Sequence, residues 1–199
     1  MREILRLVVV LSLICGVAAA ALTGVRYSLE SRIERQSDFY VRGPALERLF
    51  NKPAAELLGN KINFTASGRV YSVFYTTGGE DVTGLAIEAP GAGGYGGDVI
   101  LMVAVDLVSN QMTGMEIIQH SETPGVGSRV EKAGFRNQWV GLSVSEPVTL
   151  RSQGGQIDAI SGATYSSKAV VNGTNQIIEL VSGHRDGIIA AIQSKSNGE

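Results

Sequence analysis

The chain has one cysteine, Cys15, so no intrachain disulfide is available and the fold is not a stapled one. Its two histidines, His120 and His184, stand far apart and beside no cysteine or paired-acid cluster, which leaves a metal site little to build on. An excess of charge of one sign is also missing: 17 basic residues face 19 acidic ones, for a formal net of -2. A nucleic-acid binder would show a basic stripe or cluster, so no nucleic-acid partner is expected. Aromatic residues make up only 6% of the chain, whereas glycine reaches 25 residues. That balance favours tight turns and close approach of backbone to a ligand.

What the chain does have, at its start, is a long uncharged run. Leu7 to Val25, "LVVVLSLICGVAAAALTGV", carries no charged side chain over nineteen residues. At about 1.5 Å per residue a helix of that length covers roughly 28 Å, close to the thickness of bilayer hydrocarbon. A helix satisfies its own backbone hydrogen bonds there, so the run reads as a retained membrane anchor with the lipid bilayer as its partner. A cleaved signal peptide competes, with "AAAAL" as a small-residue cleavage site. Lipidation at Cys15 is disfavoured by Leu13 and Ile14 just before it. Arg2 and Arg6 precede the run while Arg26, Arg32 and Arg35 follow it, so flanking charge assigns no side of the membrane.

Beyond the run, a charged helical stretch breaks near Gly43-Pro44 and a short helix follows. From Ile62 the pattern becomes strand-like: "GRVYSVFYTTG", "VTGLAIEAPG", a buried strand Val99 to Val105, a turn at Ser109-Asn110, and a strand near Met115 to His120. Helical spacing of Val130, Phe135 and Trp139 predicts a helix in "SRVEKAGFRNQWVGL". "EPVTLRSQGGQIDAI" reads as short strands. "YSSKAVVNGTNQIIELVSG" predicts a helix stopped at Gly183, with one more short helix after it. The expected architecture is an α+β protein: an anchor over residues 1–27, a helical connector over 28–60, and one mixed domain with a largely antiparallel sheet over 61–199.

Three motifs are candidates for chemistry. "GAGGYG", Gly91 to Gly96, matches G-x-G-x-x-G, but the dinucleotide fingerprint requires a helix after it and here a strand follows. It is read as a Gly-rich loop. "HSETPGVG", His120 to Gly127, holds a Pro-Gly turn that projects the Glu122 and Thr123 side chains and the Gly125 to Gly127 amides. "DAISGATYSS", from Asp158, looks like a helix entrance, with Ser161 as its expected N-cap and Thr164, Ser166 and Ser167 in the first turn. Such an end carries partial positive charge and favours an anion such as a phosphate. Ser161 is not read as a hydrolytic nucleophile: "AISGA" is not G-x-S-x-G, and no local histidine offers a base.

Taken together, "DAISGAT" matches D-x-x-[ST]-G-A-T, "SETPGVG" matches E-T-P-G-[LIV]-G, and "GYGGDVILMVAVD" resembles G-Y-x-G-P-[IV]. These three, in their order along the chain from Gly94 to Thr164, resemble covalently flavinylated proteins, and with the anchor the chain resembles the G subunit family of the Rnf electron-transport complex. Asp98 stands where that family more often has Pro. The resemblance implies an FMN-binding domain in which Thr164 holds FMN by a phosphoester. It implies Ser161, Gly162 and Ala163 beside the phosphate, and Glu122, Thr123, Gly125, Val126, Tyr95 and Gly96 near the ring. Asp158 would be read by a flavin transferase that installs the group. The implied setting is the bacterial inner membrane, with the flavin domain on the periplasmic side and other membrane subunits of the complex as partners. No metal and no independent active site are expected.

Two other readings are kept. One is a flavinylated subunit of another membrane redox chain, such as the C subunit of the NADH:quinone reductase. The other is an anchored, non-redox module whose Gly loops hold a free ligand.

Overall fold

The computed structural model describes residues 2–79 and 81–196. The chain divides into two compact units, Met1–Tyr40 and Val41–Glu199. The first is the helix α1, Arg2–Ser37. Its segment Arg2–Glu30 is long and apolar enough to cross a membrane. A π-helical turn, Asp38–Arg42, follows it.

The second unit is built on five antiparallel strands in the order of the chain: β1 (Lys61–Ala66), β2 (Arg69–Gly78), β3 (Asp81–Gly94), β4 (Gly97–Asp106) and β5 (Gln111–Gln119). β4 is apolar without interruption because both its faces are covered. Val99, Leu101, Val103 and Val105 point into the main core; Met102 and Ala104 point into a second, smaller one. The main core is closed by the long helix α5, Thr164–Ser196, and by the single turn α4, Ala133–Arg136, with its 3-10 neighbours. The smaller core is closed by α2 (Gly43–Phe50) and α3 (Ala54–Gly59), through Leu46, Leu49 and Leu57. The fold is therefore α+β with an antiparallel sheet, as expected.

Charge fixes α2 to the sheet. The Arg42 guanidinium grips Glu88 on β3 with two bonds, 2.8 and 3.0 Å. Two strands over, buried Glu116 on β5 accepts from Arg48 at 2.9 Å and from Arg136. Glu88, Met102 and Glu116 lie abreast in the strand register, so the two acids flank the apolar strip on which α2 packs. Burial and the nearby Arg48 charge lower the Arg136 pKa, which marks the pair as partly desolvated.

Several local expectations change. The segment expected as a Gly-rich loop is the tip of the β3–β4 hairpin: β3 runs on to Gly94 and β4 starts at Gly97. Pro90 is tolerated in it because pairing with β2 ends at Ile87, so its missing amide would face no partner there. Val130, Phe135 and Trp139 are buried as their spacing suggests, but extended backbone at Lys132 splits their helix into single turns. The stretch 146–160 forms no strand. It holds one isolated bridge, Leu150 to Ile157, and its apolar side chains reach the core from a loop. One expectation holds: α5 breaks just after Gly183, at His184, whose φ of -135° leaves the helical range and separates two helical segments.

What positions α5 is the lack of side chains at its crossing with β3. A Cβ on Gly91 would run into the Ala169 carbonyl, and one on Gly173 would come within 3.0 Å of the Gly91 backbone. Glycine at both positions lets helix and strand meet main chain to main chain, which sets where the N-terminus of α5 lies.

Candidate functional site

Two tight turns present the motif residues. Val126 N–H donates to the Thr123 carbonyl at 3.2 Å, closing Thr123-Pro124-Gly125-Val126, with Gly125 at φ +74°. Ala163 N–H donates to the Ile160 carbonyl at 2.9 Å, closing Ile160-Ser161-Gly162-Ala163, with Gly162 at φ +79°. Both have the type II pattern, which needs a left-handed third residue and therefore glycine. The second turn delivers the chain into α5 at Thr164.

Between them lies a cleft of about 260 Å³. The hairpin tip contributes Tyr95, the Pro-Gly loop contributes Glu122, Thr123 and Val126, and the helix entrance contributes Gly162, Ala163 and Thr164. Thr164 and Tyr165 are exposed, and the side chains of Tyr95 and Val126 are also open to solvent. The three motifs, separated by up to 70 residues in the sequence, thus converge on one site.

The remaining site residues stand one step back. Gly96 reaches the site through its amide, which donates to Glu122 Oε1 at 3.1 Å. Gly125 is the turn residue of its loop, held by a bond from its amide to Ser128 Oγ at 2.8 Å. Ser161 is the second residue of its turn, and its carbonyl accepts from Arg129 at 3.2 Å. It is not the cap expected of it. α5 begins at Thr164, and Ser167 ties the entrance instead, its hydroxyl accepting from the Ile160 amide at 3.0 Å and donating to the Ala163 carbonyl at 3.0 Å. Asp158 lies outside the cleft. Gln138 brackets its main chain, and its exposed carboxylate pairs with Arg151 at 3.0 Å.

Three lining residues were not among those the resemblance placed at the flavin: Gly127, Tyr165 and Ser166. Gly127 closes the quoted Pro-Gly motif, and Tyr165 and Ser166 follow Thr164 directly, so position alone could have flagged them. Ser166 is fully buried and donates to Glu122 Oε2 at 2.7 Å.

The electrostatics are one-sided. None of the lining residues is basic, and one is a buried carboxylate. The favourable potential for an anion comes from the first turn of α5, where amides lack helical partners. Among the described residues no group of His, Cys, Asp and Glu is arranged to hold a metal ion.

The family model described as FMN-binding domain matches residues 94–179, which include all three motifs through Thr164. Over nearly its whole length the chain is similar to the G subunit of the ion-translocating oxidoreductase complex of Methanosarcina acetivorans, at 28% identity covering 91% of this chain and 96% of that one. It is also similar to the G subunit of the Na(+)-translocating ferredoxin:NAD(+) oxidoreductase complex of Acetobacterium woodii, at 26% identity covering 90% and 92%. The resemblance carried by the motifs is thereby borne out. The solved structure of the C subunit of the Na(+)-translocating NADH-quinone reductase from Parabacteroides distasonis shares the fold, with a TM-score of 0.57 and 20% identity, covering 75% of this chain and 93% of that one.

Proposed function

We propose that Thr164 carries FMN through a phosphoester to its hydroxyl, and that the chain is the electron-carrying member of a membrane-bound, ion-translocating oxidoreductase complex of the Rnf type. The observation that carries this is the exposed Thr164 at the start of α5, on the rim of a cleft that has a carboxylate and no cation. A free flavin mononucleotide would bring its phosphate charge to a wall that already holds Glu122. Helix-end amides favour that phosphate, but no Lys or Arg side chain among the lining residues retains it. A covalent bond removes the need for ionic retention.

Attachment exchanges a phosphoanhydride for a phosphoester. The Thr164 Oγ–P bond forms, a phosphoanhydride bond of an activated flavin nucleotide breaks, and the hydroxyl proton leaves with the departing phosphate. A flavin transferase catalyses this step, with Asp158 as part of what it reads. Gly162 and Ala163 leave room beside the phosphate, and Tyr95, Thr123 and Val126 border the ring.

FMN supplies the reversible electron transfer, and the protein supplies orientation and electrostatics. The cleft is smaller than the roughly 300–1,000 Å³ of pockets that enclose a ligand. A group of this size is held in part and keeps an edge open to a redox partner, as a carrier requires. Residues 1–27 anchor the chain in the inner membrane, 28–60 connect, and 61–199 present the flavin on the periplasmic side to neighbouring subunits. The names of the relatives in ion-translocating complexes and the apolar helix support a membrane-anchored subunit, and the side rests on the resemblance alone.

The test is the intact mass of the Thr164 peptide, from protein made with its transferase and then denatured. The expected result is an added FMN. An unmodified peptide under those conditions would sink the covalent reading.

A further inference from the structure

Glu122 is a buried carboxylate, 5% exposed, that makes no ion pair among the described residues. Each of its oxygens is taken by a donor from a different motif: Oε1 by the Gly96 amide at 3.1 Å, Oε2 by the Ser166 hydroxyl at 2.7 Å. Its own amide donates to His120 Nδ1 at 3.1 Å. Hairpin tip, Pro-Gly loop and helix entrance are therefore tied to one side chain. The fit is close: a Cβ on Gly127 would stand 2.5 Å from Glu122 Oε2 and 2.7 Å from Ser166 Oγ.

Bracing alone does not call for an acid. A glutamine could accept from Gly96 with its oxygen and donate to Ser166 with its nitrogen, at a lower desolvation cost than a carboxylate. What glutamine would not bring is charge, and that charge lies in the wall of the cleft that Thr164 borders.

Resting on the flavin reading above, we propose that Glu122 is a positioning residue whose buried negative charge also holds a flavin in this cleft at a lower reduction potential than a neutral side chain would. Reduction adds electrons to the ring, and a fixed negative charge in a partly desolvated wall opposes that more strongly than one in water. The helix end of α5 works in the opposite direction, and Glu122, bonded to Ser166 in its first turn, offsets it at close range.

The experiment uses the full chain with its flavin attached, in detergent, and compares wild type, Glu122→Gln and Glu122→Asp by spectroelectrochemical titration. Glu122→Gln is expected to shift the ratio of reduced to oxidised flavin at fixed potential by about tenfold toward reduced, or about 30 mV for a two-electron couple. Glu122→Asp keeps the charge and should stay within about twofold of wild type. A Gln variant indistinguishable from wild type, or Gln and Asp variants that shift alike, would overturn the role of the charge. If the Gln variant fails to take up flavin, the Asp variant decides: labelling at the wild-type potential supports the proposal, and loss of labelling or a large shift overturns it. Wild type without flavin would instead overturn the reading beneath it, before any variant is compared.

Discussion

Asn175 on α5 and Val148 in the loop before it are joined by two hydrogen bonds running in opposite directions. The Val148 amide donates to Asn175 Oδ1 at 2.8 Å, and Asn175 Nδ2 donates to the Val148 carbonyl at 2.9 Å. A single side chain does for Val148 what a neighbouring strand would do, so this segment reaches the core without joining the sheet. Asn175→Leu strips both partners from a buried residue. The expected loss is about 2 kcal/mol, or about 4–8 °C in melting temperature for a domain of this size, read by thermal denaturation in detergent.

That relationship also explains where sequence reading reached and where it stopped. β4 was legible because its apolar run can only be satisfied by burial on both faces. The burial of Val130, Phe135 and Trp139 was legible from spacing, and the three motifs were legible as a group. The partner that satisfies a backbone is a different matter. Alternating Val148 and Leu150 looks like a strand whether its hydrogen bonds go to a strand or to Asn175, 27 residues away. The cap was misplaced for a related reason. Ser161 and Ser167 are equally good acceptors in composition, and only the turn at Gly162 decides that Ser167 reaches back to Ile160. Ser166 acquires its place through Glu122, a contact across 44 residues that no local pattern encodes.

The glycine crossing gives a paired test. Gly91→Ala places a methyl against the Ala169 carbonyl, which is helix backbone and cannot rotate away. It should cost about 2–3 kcal/mol or more as α5 is pushed off β3. Gly134→Ala in α4 meets nothing within 4 Å and has ordinary backbone. It should be neutral or stabilise by about 0.5–1 kcal/mol. Equal effects in urea denaturation would refute the close-packing account.

Asp106 closes the β4–β5 turn, its Oδ1 accepting from the Val108 and Ser109 amides, both at 2.8 Å. Those bonds, the one from Ser109 foremost, hold its pKa below the usual carboxylate value. A depressed folded-state pKa means the contribution is present above the unfolded value of about 3.9 and is lost as pH falls through the folded one. Asp106→Ala should therefore cost about 1 kcal/mol near neutral pH, and its deficit against wild type should shrink below about pH 3.9. A deficit that stays constant down to pH 2 would show that the carboxylate charge is not what closes the turn.

Thr164 is exposed, so under the proposed attachment replacing it should leave the fold alone and act only on flavin labelling. Thr164→Val, which keeps the shape and removes the hydroxyl, should abolish labelling while melting within about 0.5 kcal/mol of wild type. Thr164→Ser retains a hydroxyl and should keep part of the label. Full labelling of the Val variant would move the attachment to another residue.

Asp158 separates recognition from structure. Its carboxylate lies at the surface and pairs with Arg151, with side chains 61% and 67% exposed. Exposed pairs contribute about 0–1 kcal/mol, and the main chain of Asp158 is held independently by the Gln138 side chain. If a transferase contacts Asp158, as proposed, Asp158→Ala should fold normally yet label poorly. Arg151→Ala breaks the same ion pair from the other end and serves as the control. If Asp158 acts by contact with the transferase, the Arg151 variant labels at the wild-type rate. If both variants label equally slowly, the ion pair orders the turn before Thr164 and Asp158 has no recognition role of its own.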